Sequence, residues 1–240
     1  MTPTELAALR TSALIACLAV TLCTPLAVAL ANWTNRVQGR SGVWLSTVLL
    51  APMVLSPAIV GLGLAGLLSH RAPVGAWAAS LPGGTAEWMP TGLTLAACVL
   101  TLPLMVRALR PAFAVQDPMR VPVARTLGAS AWQAWWTVTL PAAWPAVVSA
   151  MALGWAAAWG ETGAAIVLVT RLPQGAGDLP LSVPLALASE MGPADSPLGN
   201  RLAWVALAVS VLATLVSEWS RARWQRLGRE ASAAWNAHHG

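Results

Sequence analysis

Five stretches of this sequence are too apolar and too long to lie on a surface in water. They fall at about 11–31, 43–68, 91–112, 142–170 and 203–219. A helix rises 1.5 Å per residue, so about 20 apolar residues cross the roughly 30 Å of hydrocarbon in a bilayer. Only 10% of the residues are charged, against about a quarter in a soluble domain. Such a chain cannot coat itself for water, but lipid can cover it. The expected fold class is all-α: one polytopic transmembrane domain over residues 1–240. It has five membrane helices, or six if the fourth run, long for one straight crossing, breaks near Gly160 or Gly163. Residues 113–141 form a loop between spans three and four, and 220–240 a tail.

Every basic residue is Arg, and the formal net charge is +5. In a soluble chain that would suggest nucleic acid. Here the arginines lie between and after apolar runs, so the positive-inside rule accounts for them and no nucleic acid is expected as partner. With the N-terminus outside, ten arginines (36, 40, 107, 110, 120, 125, 221, 223, 226 and 229) face inward and four (10, 71, 171 and 201) face outward. This orientation puts the 113–141 loop and the C-terminus in the cytoplasm. Trp33, Trp44, Trp204 and Trp219 flank the spans as an interfacial belt against lipid. Ala29-x-Ala31 has the form of a signal-peptidase site. Cleavage would invert the later loops, so the first run is expected to stay as a membrane helix.

Several motifs need weighing. "GLGLAG" (Gly61, Gly63, Gly66) matches a dinucleotide fingerprint by letter, but no strand precedes it. Close helix packing through Gly61 and Ala65 is the better reading. "LSPAIVG" sets Ser56 and Pro57 in the middle of the second run. Proline removes a backbone donor and kinks a helix, so this is either a packing kink or a helix lining a translocation path. "WGETG" places Glu161 near the outer membrane boundary, where it either caps a following short helix or shapes an outer gate. Cys17, Cys23 and Cys98 lie within apolar runs and read as small buried hydrophobes. No catalytic triad, P-loop or metal-ligand spacing is present, so no catalytic residue, cofactor or metal is expected.

The loop between spans three and four differs from its surroundings. It contains "RVPVARTLGASAWQAWWTVTLP". Segment 119–127 reads as a short helix ended by Gly128. A second helix follows Ser130 as N-cap, with Trp132, Trp135 and Trp136 on one face. Leu140-Pro141 marks the start of the next span.

This segment resembles the cytoplasmic loop of the membrane subunits of bacterial ABC importers. Their signature is Glu-Ala-Ala, three residues, Gly, nine residues, a branched aliphatic, one residue, then Leu-Pro. Here Val123-Ala124, Gly128, Val138 and Leu140-Pro141 hold those places, and Pro122 stands where the family has Glu. "GETGAAIVLV" and "LPLSVPLALAS" are most similar to molybdate-type permeases, with sulfate, tungstate, thiamine, phosphonate and ferric-iron permeases sharing much of the pattern. The resemblance implies a permease subunit of an ATP-driven importer in the bacterial inner membrane, itself not an enzyme, carrying a small solute such as an oxyanion. Its implied partners are an ABC ATP-binding subunit, an external solute-binding protein docked on the 171–200 loop, and a second permease copy. Arg120, Arg125, Gly128, Trp132, Trp135, Trp136, Leu140 and Pro141 would couple to the ATPase. Ser56, Pro57 and Glu161 would be path or gate positions. The rivals, a secondary transporter or a membrane-embedded enzyme, call for inverted repeats, intramembrane acids or nucleophile–base pairs, none of which is found.

Overall fold

The computed structural model describes residues 3–37, 40–69, 72–79, 89–116, 119–161, 163–171, 204–205, 207–220 and 222. The Asp117-Pro118 turn, nearly all of the 171–200 loop and most of the 220–240 tail fall outside them. The described residues are helical, with no strand among them. In chain order the helices are α1 Pro3–Arg36, α2 Arg40–Val54, α3 Pro57–Leu68, α4 Pro73–Ala79 and α5 Met89–Ala114. Then come α6 Arg120–Thr126, α7 Ala131–Ala134, a π turn Trp135–Thr139, α8 Leu140–Trp159, α9 Gly163–Arg171 and α10 Leu207–Ser220.

Three helices are long and apolar enough to cross a membrane: Leu6–Arg36, Thr91–Ala114 and Ala131–Trp159. They form the body. Water is absent from hydrocarbon, so helices there gain little from hiding Leu and gain more from close contact through small side chains. The facing surfaces match that need. Ala16, Ala19, Ala27 and Ala31 of α1 are fully buried, as are Ala143 and Ala150 of α8. Met105, Val106 and Leu109 of α5 fill the space between them. A side chain at Gly154 would come within 2.7 Å of the Met105 sulfur, so α8 approaches α5 where it carries none. The opposite edge of α1 presents Leu14, Leu18, Leu22 and Leu26 outward at four-residue spacing, a lipid-facing stripe. A few hydrogen bonds also cross between helices. The Ser149 and Ser217 hydroxyls each donate to the other's carbonyl, at 2.9 and 3.0 Å, tying α10 to α8. At the far end the Asn35 amide donates to the Arg110 carbonyl, 2.8 Å.

Two expected spans are divided. The fourth run breaks at Gly160, which caps α8, and resumes as α9 at Gly163. The second run, expected as a kinked helix, is two helices meeting at 97°. Proline explains why the helix breaks here. Ser56, the residue before Pro57, is extended with ψ 134°, as the ring of a following proline demands. Pro57 then opens α3 in the first turn, where its missing donor costs nothing. Counted as one span, the bent pair makes a fourth crossing, and α10 covers part of the expected fifth.

A third difference lies at the end of the insert. Leu140-Pro141 does not start a new helix, because α7, the π turn and α8 run on without interruption. In the π turn each amide reaches one residue further back, Leu140 N–H bonding the Trp135 carbonyl. Pro141 has no N–H to give, and the widened turn just before it absorbs that loss without ending the helix.

The α3 and α9 helices lie against each other on α5. A Cβ at Gly61 would sit 2.9 Å from the Ala164 backbone, and one at Gly163 would sit 3.0 Å from Pro57. The packing reading of "GLGLAG" therefore holds for Gly61, with Ala65 also buried, while Gly63 and Gly66 face open space. Gly61→Ala is expected to destabilise the detergent-solubilised protein by about 1–3 kcal/mol, the range for overpacking. Gly63→Ala should leave thermal unfolding unchanged. Equal stability of the two variants would show that α3 and α9 do not pack closely.

Candidate coupling insert and helix-break site

The insert is built from two local capping devices. The first ends α6. Gly128 has φ +91°, a conformation that L side chains rarely adopt. Its N–H bonds the Arg125 carbonyl at 3.0 Å, and the Ala129 N–H bonds the Ala124 carbonyl at 3.1 Å. This pair of bonds is the Schellman pattern, which satisfies the last carbonyls of a helix and reverses the chain. The second device starts α7. The Ser130 hydroxyl accepts from the Gln133 N–H at 3.2 Å, and the Gln133 side-chain carbonyl accepts from the Ser130 N–H at 2.9 Å. Ser130 is thus the N-cap expected of it, within a full capping box. The two caps leave only a short turn between helices, so α6 is held at a defined angle. The Gln116 amide also donates to the Thr139 carbonyl, 3.0 Å, closing the base of the insert.

The α6 helix buries none of its residues. Met119, Val123 and Leu127 recur every four residues and are 62%, 50% and 83% exposed. With Arg120, Ala124 and Val138 they line an open, mostly apolar groove. The sequence reading named the charges and tryptophans but passed over this stripe, although its i, i+4, i+8 spacing was there to be read. Arg120, Arg125 and Gly128 do lie on the exposed insert.

The tryptophans share one face, as expected, but as a mutual cluster. Trp132 stacks on Trp135 with ring centroids 5.6 Å apart and planes at 15°. Trp136 meets both edge-on, at 5.6 and 5.1 Å. Trp135 turns inward onto the core of α1, α5 and α8, while Trp132 and Trp136 stay exposed. Leu140 packs against that same core and Pro141 is exposed. The eight residues therefore divide between an exposed helix, an aromatic shelf and the helix that anchors them.

The remaining candidates lie at the helix breaks. Ser56 and Pro57 are exposed, and the Ser56 side chain makes no capping bond to α3. Glu161 caps α9, its Oε1 accepting from the Ala164 N–H at 2.9 Å. Because Pro57 touches Gly163, the two breaks, distant in sequence, meet in space. Beside them Ser12, Trp159 and Glu161 line a cavity of about 20 Å³ between α1, α5, α8 and α9, room for a single water. The Trp159 indole N–H is buried there and bonds no described protein atom. Among the described residues no group of three or more His, Cys, Asp or Glu is placed to hold a metal.

Residues 17–226 match the family described as "Binding-protein-dependent transport system inner membrane component". The chain belongs to this family of ABC importer permeases. The permease is 31% identical over 230 residues to the molybdenum transport system permease protein ModB of Escherichia coli K12, covering 95% of this chain and 99% of that one. It is 31% identical over 178 residues to the sulfate transport system permease protein CysT of the same organism, covering 74% of this chain and 61% of that one. Its fold is similar to that of a bacterial ABC transporter involved in alginate import, with a TM-score of 0.65 at 15% identity over 94% of this chain and 80% of the other. The family is one of multi-pass inner-membrane transport subunits without catalytic activity of their own.

The caps in the permease are testable singly. Ser130→Ala should cost about 1 kcal/mol of local stability, the usual loss for an N-cap. Hydrogen exchange would report it as faster exchange in α7 with α1 unchanged. Glu161→Ala should do the same to the first turn of α9, while Glu161→Gln, which keeps an acceptor, should preserve most of the protection. Unaltered exchange in both alanine variants would show that these side chains are not structural caps.

Proposed function

We propose that this permease carries a tetrahedral oxyanion of the molybdate kind inward, driven by ATP hydrolysis in a separate subunit that grips α6. The observation that carries the coupling part is the α6 surface. It is a helix with apolar residues outward and, among the described residues, none of its own buried. Exposed apolar side chains held by two caps, flanked by Arg120 and Arg125, are what an interface anchor requires. Trp132 and Trp136 form the rim of the same surface. The 171–200 loop receives the external binding protein, and a neighbouring structure, an alginate transporter, was obtained in complex with a periplasmic protein bound to an alginate pentasaccharide. Two permease copies face each other across the path, with the N-terminus outside and the C-terminus in the cytoplasm.

The names of the relatives support the solute. Molybdenum and sulfate permeases both match over most of this chain, and molybdate and sulfate are alike in charge and tetrahedral shape. Sulfate is thus the second reading. The paired breaks suit a path for such an ion. The start of α3 carries the positive end of a helix dipole, and Ser56 and Pro57 stand at it. Glu161 occupies the corresponding end of α9 and shapes the gate there.

Co-reconstitution of the permease with its ATP-binding subunit and binding protein should give ATP-dependent uptake of labelled molybdate. Uptake that runs without the ATPase would contradict the importer reading, and competition by sulfate stronger than by molybdate would select the second solute. Leu127→Asp should weaken ATPase association about tenfold or more, the 1.4 kcal/mol scale of an interface anchor, while membrane insertion stays normal. Unchanged association would remove α6 as the grip.

A further inference from the structure

We propose that the insert end of the helix body holds a phospholipid headgroup, one that carries an ammonium beside its phosphate, as phosphatidylethanolamine does. An open cavity of about 430 Å³ lies there between α1, α2 and α5, within the roughly 300–1,000 Å³ of ligand sites. Arg110, near the end of α5, lines it, as do Thr34, near the end of α1, and Ser46 and Thr47 of α2. Val43, Ser46, Thr47 and Leu50 fall at i, i+3, i+4 and i+7, so one face of α2 forms a wall. Two contacts hold the walls together. The Asn35 amide donates to the Arg110 carbonyl, at 2.8 Å, and Gly42 lies against the Val37 carbonyl with no room for a side chain. Trp33 and Trp44, on either side of the α1–α2 junction, are 51% and 70% exposed. Tryptophans so placed mark the level of the lipid headgroups.

The hydrogen-bond inventory selects the headgroup. Each hydroxyl has one proton to give, and all three give it to their own helix. Thr34 donates to the Ala31 carbonyl at 3.0 Å, Ser46 to the Gly42 carbonyl at 2.8 Å and Thr47 to the Val43 carbonyl at 2.9 Å. Toward the cavity their oxygens therefore act as acceptors. The Arg110 guanidinium supplies donors and positive charge, and no carboxylate lines the cavity beside it. A free oxyanion suits this set poorly, because it would meet one cation and three oxygens with no proton to offer. A phosphodiester with a tethered ammonium suits both halves. Its phosphate takes Arg110 in a charge-assisted bond, and its N–H groups donate to the hydroxyl oxygens. Val43 and Leu50 then lie along the start of the acyl chains. This chemistry separates the cavity from the oxyanion path proposed at the helix breaks, and a lipid held here fastens α2 to the ends of α1 and α5.

The test uses the full-length permease, purified in detergent with its native lipid exchanged away. It is titrated with phosphatidylethanolamine or with phosphatidylcholine, whose quaternary ammonium has the same charge but no N–H, and bound lipid is counted by native mass spectrometry. Phosphatidylethanolamine should bind about tenfold more tightly than phosphatidylcholine, the scale of one lost charge-assisted hydrogen bond. Arg110→Gln should weaken both lipids, because it removes the partner of the phosphate they share. Thr47→Val, nearly isosteric and at an exposed position, should bring phosphatidylethanolamine toward the phosphatidylcholine value while leaving phosphatidylcholine unchanged, and it gives the answer even where Arg110→Gln fails to fold. Excess inorganic phosphate should leave the bound lipid in place. Equal binding of the two lipids, wild-type lipid binding in Thr47→Val, or displacement of the lipid by inorganic phosphate would overturn the proposal. None of these readouts depends on transport or on the ATP-binding subunit.

Discussion

Close approach of helix backbones inside hydrocarbon is the constraint on which this structure rests. Lipid tails are as apolar as leucine, so apolar helices have no reason to associate unless their surfaces fit. The α1, α5 and α8 helices fit because alanine lines the contact, with Gly154 admitting Met105. Leucines, which would dominate the core of a soluble bundle, are instead turned outward along α1. The usual arrangement of inside and outside is thereby partly reversed, and the 57% hydrophobic composition serves the surface as much as the core.

That body gives the irregular segments something to be irregular against. A helix can break in a membrane only where neighbours or local bonds satisfy the freed backbone. At the α8–α9 break the Glu161 carboxylate takes the free Ala164 N–H. At the α2–α3 break the Ser56 carbonyl accepts from Ile59 and Val60. The contacts of Pro57 with Gly163 and of Gly61 with Ala164 then hold the two restarted helices together. At the opposite end α5 leads into the insert and α8 leaves it. The proposed grip on α6 and the proposed path at the breaks are thus joined through α8. The π turn lies between them, at a place where a one-residue change of hydrogen-bond register can absorb or transmit rotation.

Much of this could be read from residue order, because the relevant physics is local. Run length and composition mark the membrane helices, the Ser130-x-x-Gln133 pair marks a capping box, and Gly128 marks a left-handed stop. Gly160 and Gly163 mark a run too long for one span, and the structure parts it there. What escaped depends on geometry between segments. A proline signals interruption but not its angle, so the 97° bend was hidden. Leu140-Pro141 looks like a boundary by its letters, and only a π turn lets the helix pass through it. The Met119–Val123–Leu127 stripe resembles core from its spacing, and only its exposure among the described residues marks it as a surface. The meeting of the two breaks joins positions about a hundred residues apart, which no local pattern encodes.

We propose that the small-residue body holds α6 on the inner face, where an ATP-binding partner grips it. Accessibility tests it most directly, using a single cysteine placed at Val123 in a background without the native thiols. A membrane-impermeant maleimide should label it in inside-out vesicles and not in right-side-out ones, and bound ATPase subunit should protect it. Labelling from the outer side, or labelling that the ATPase leaves unchanged, would contradict the account.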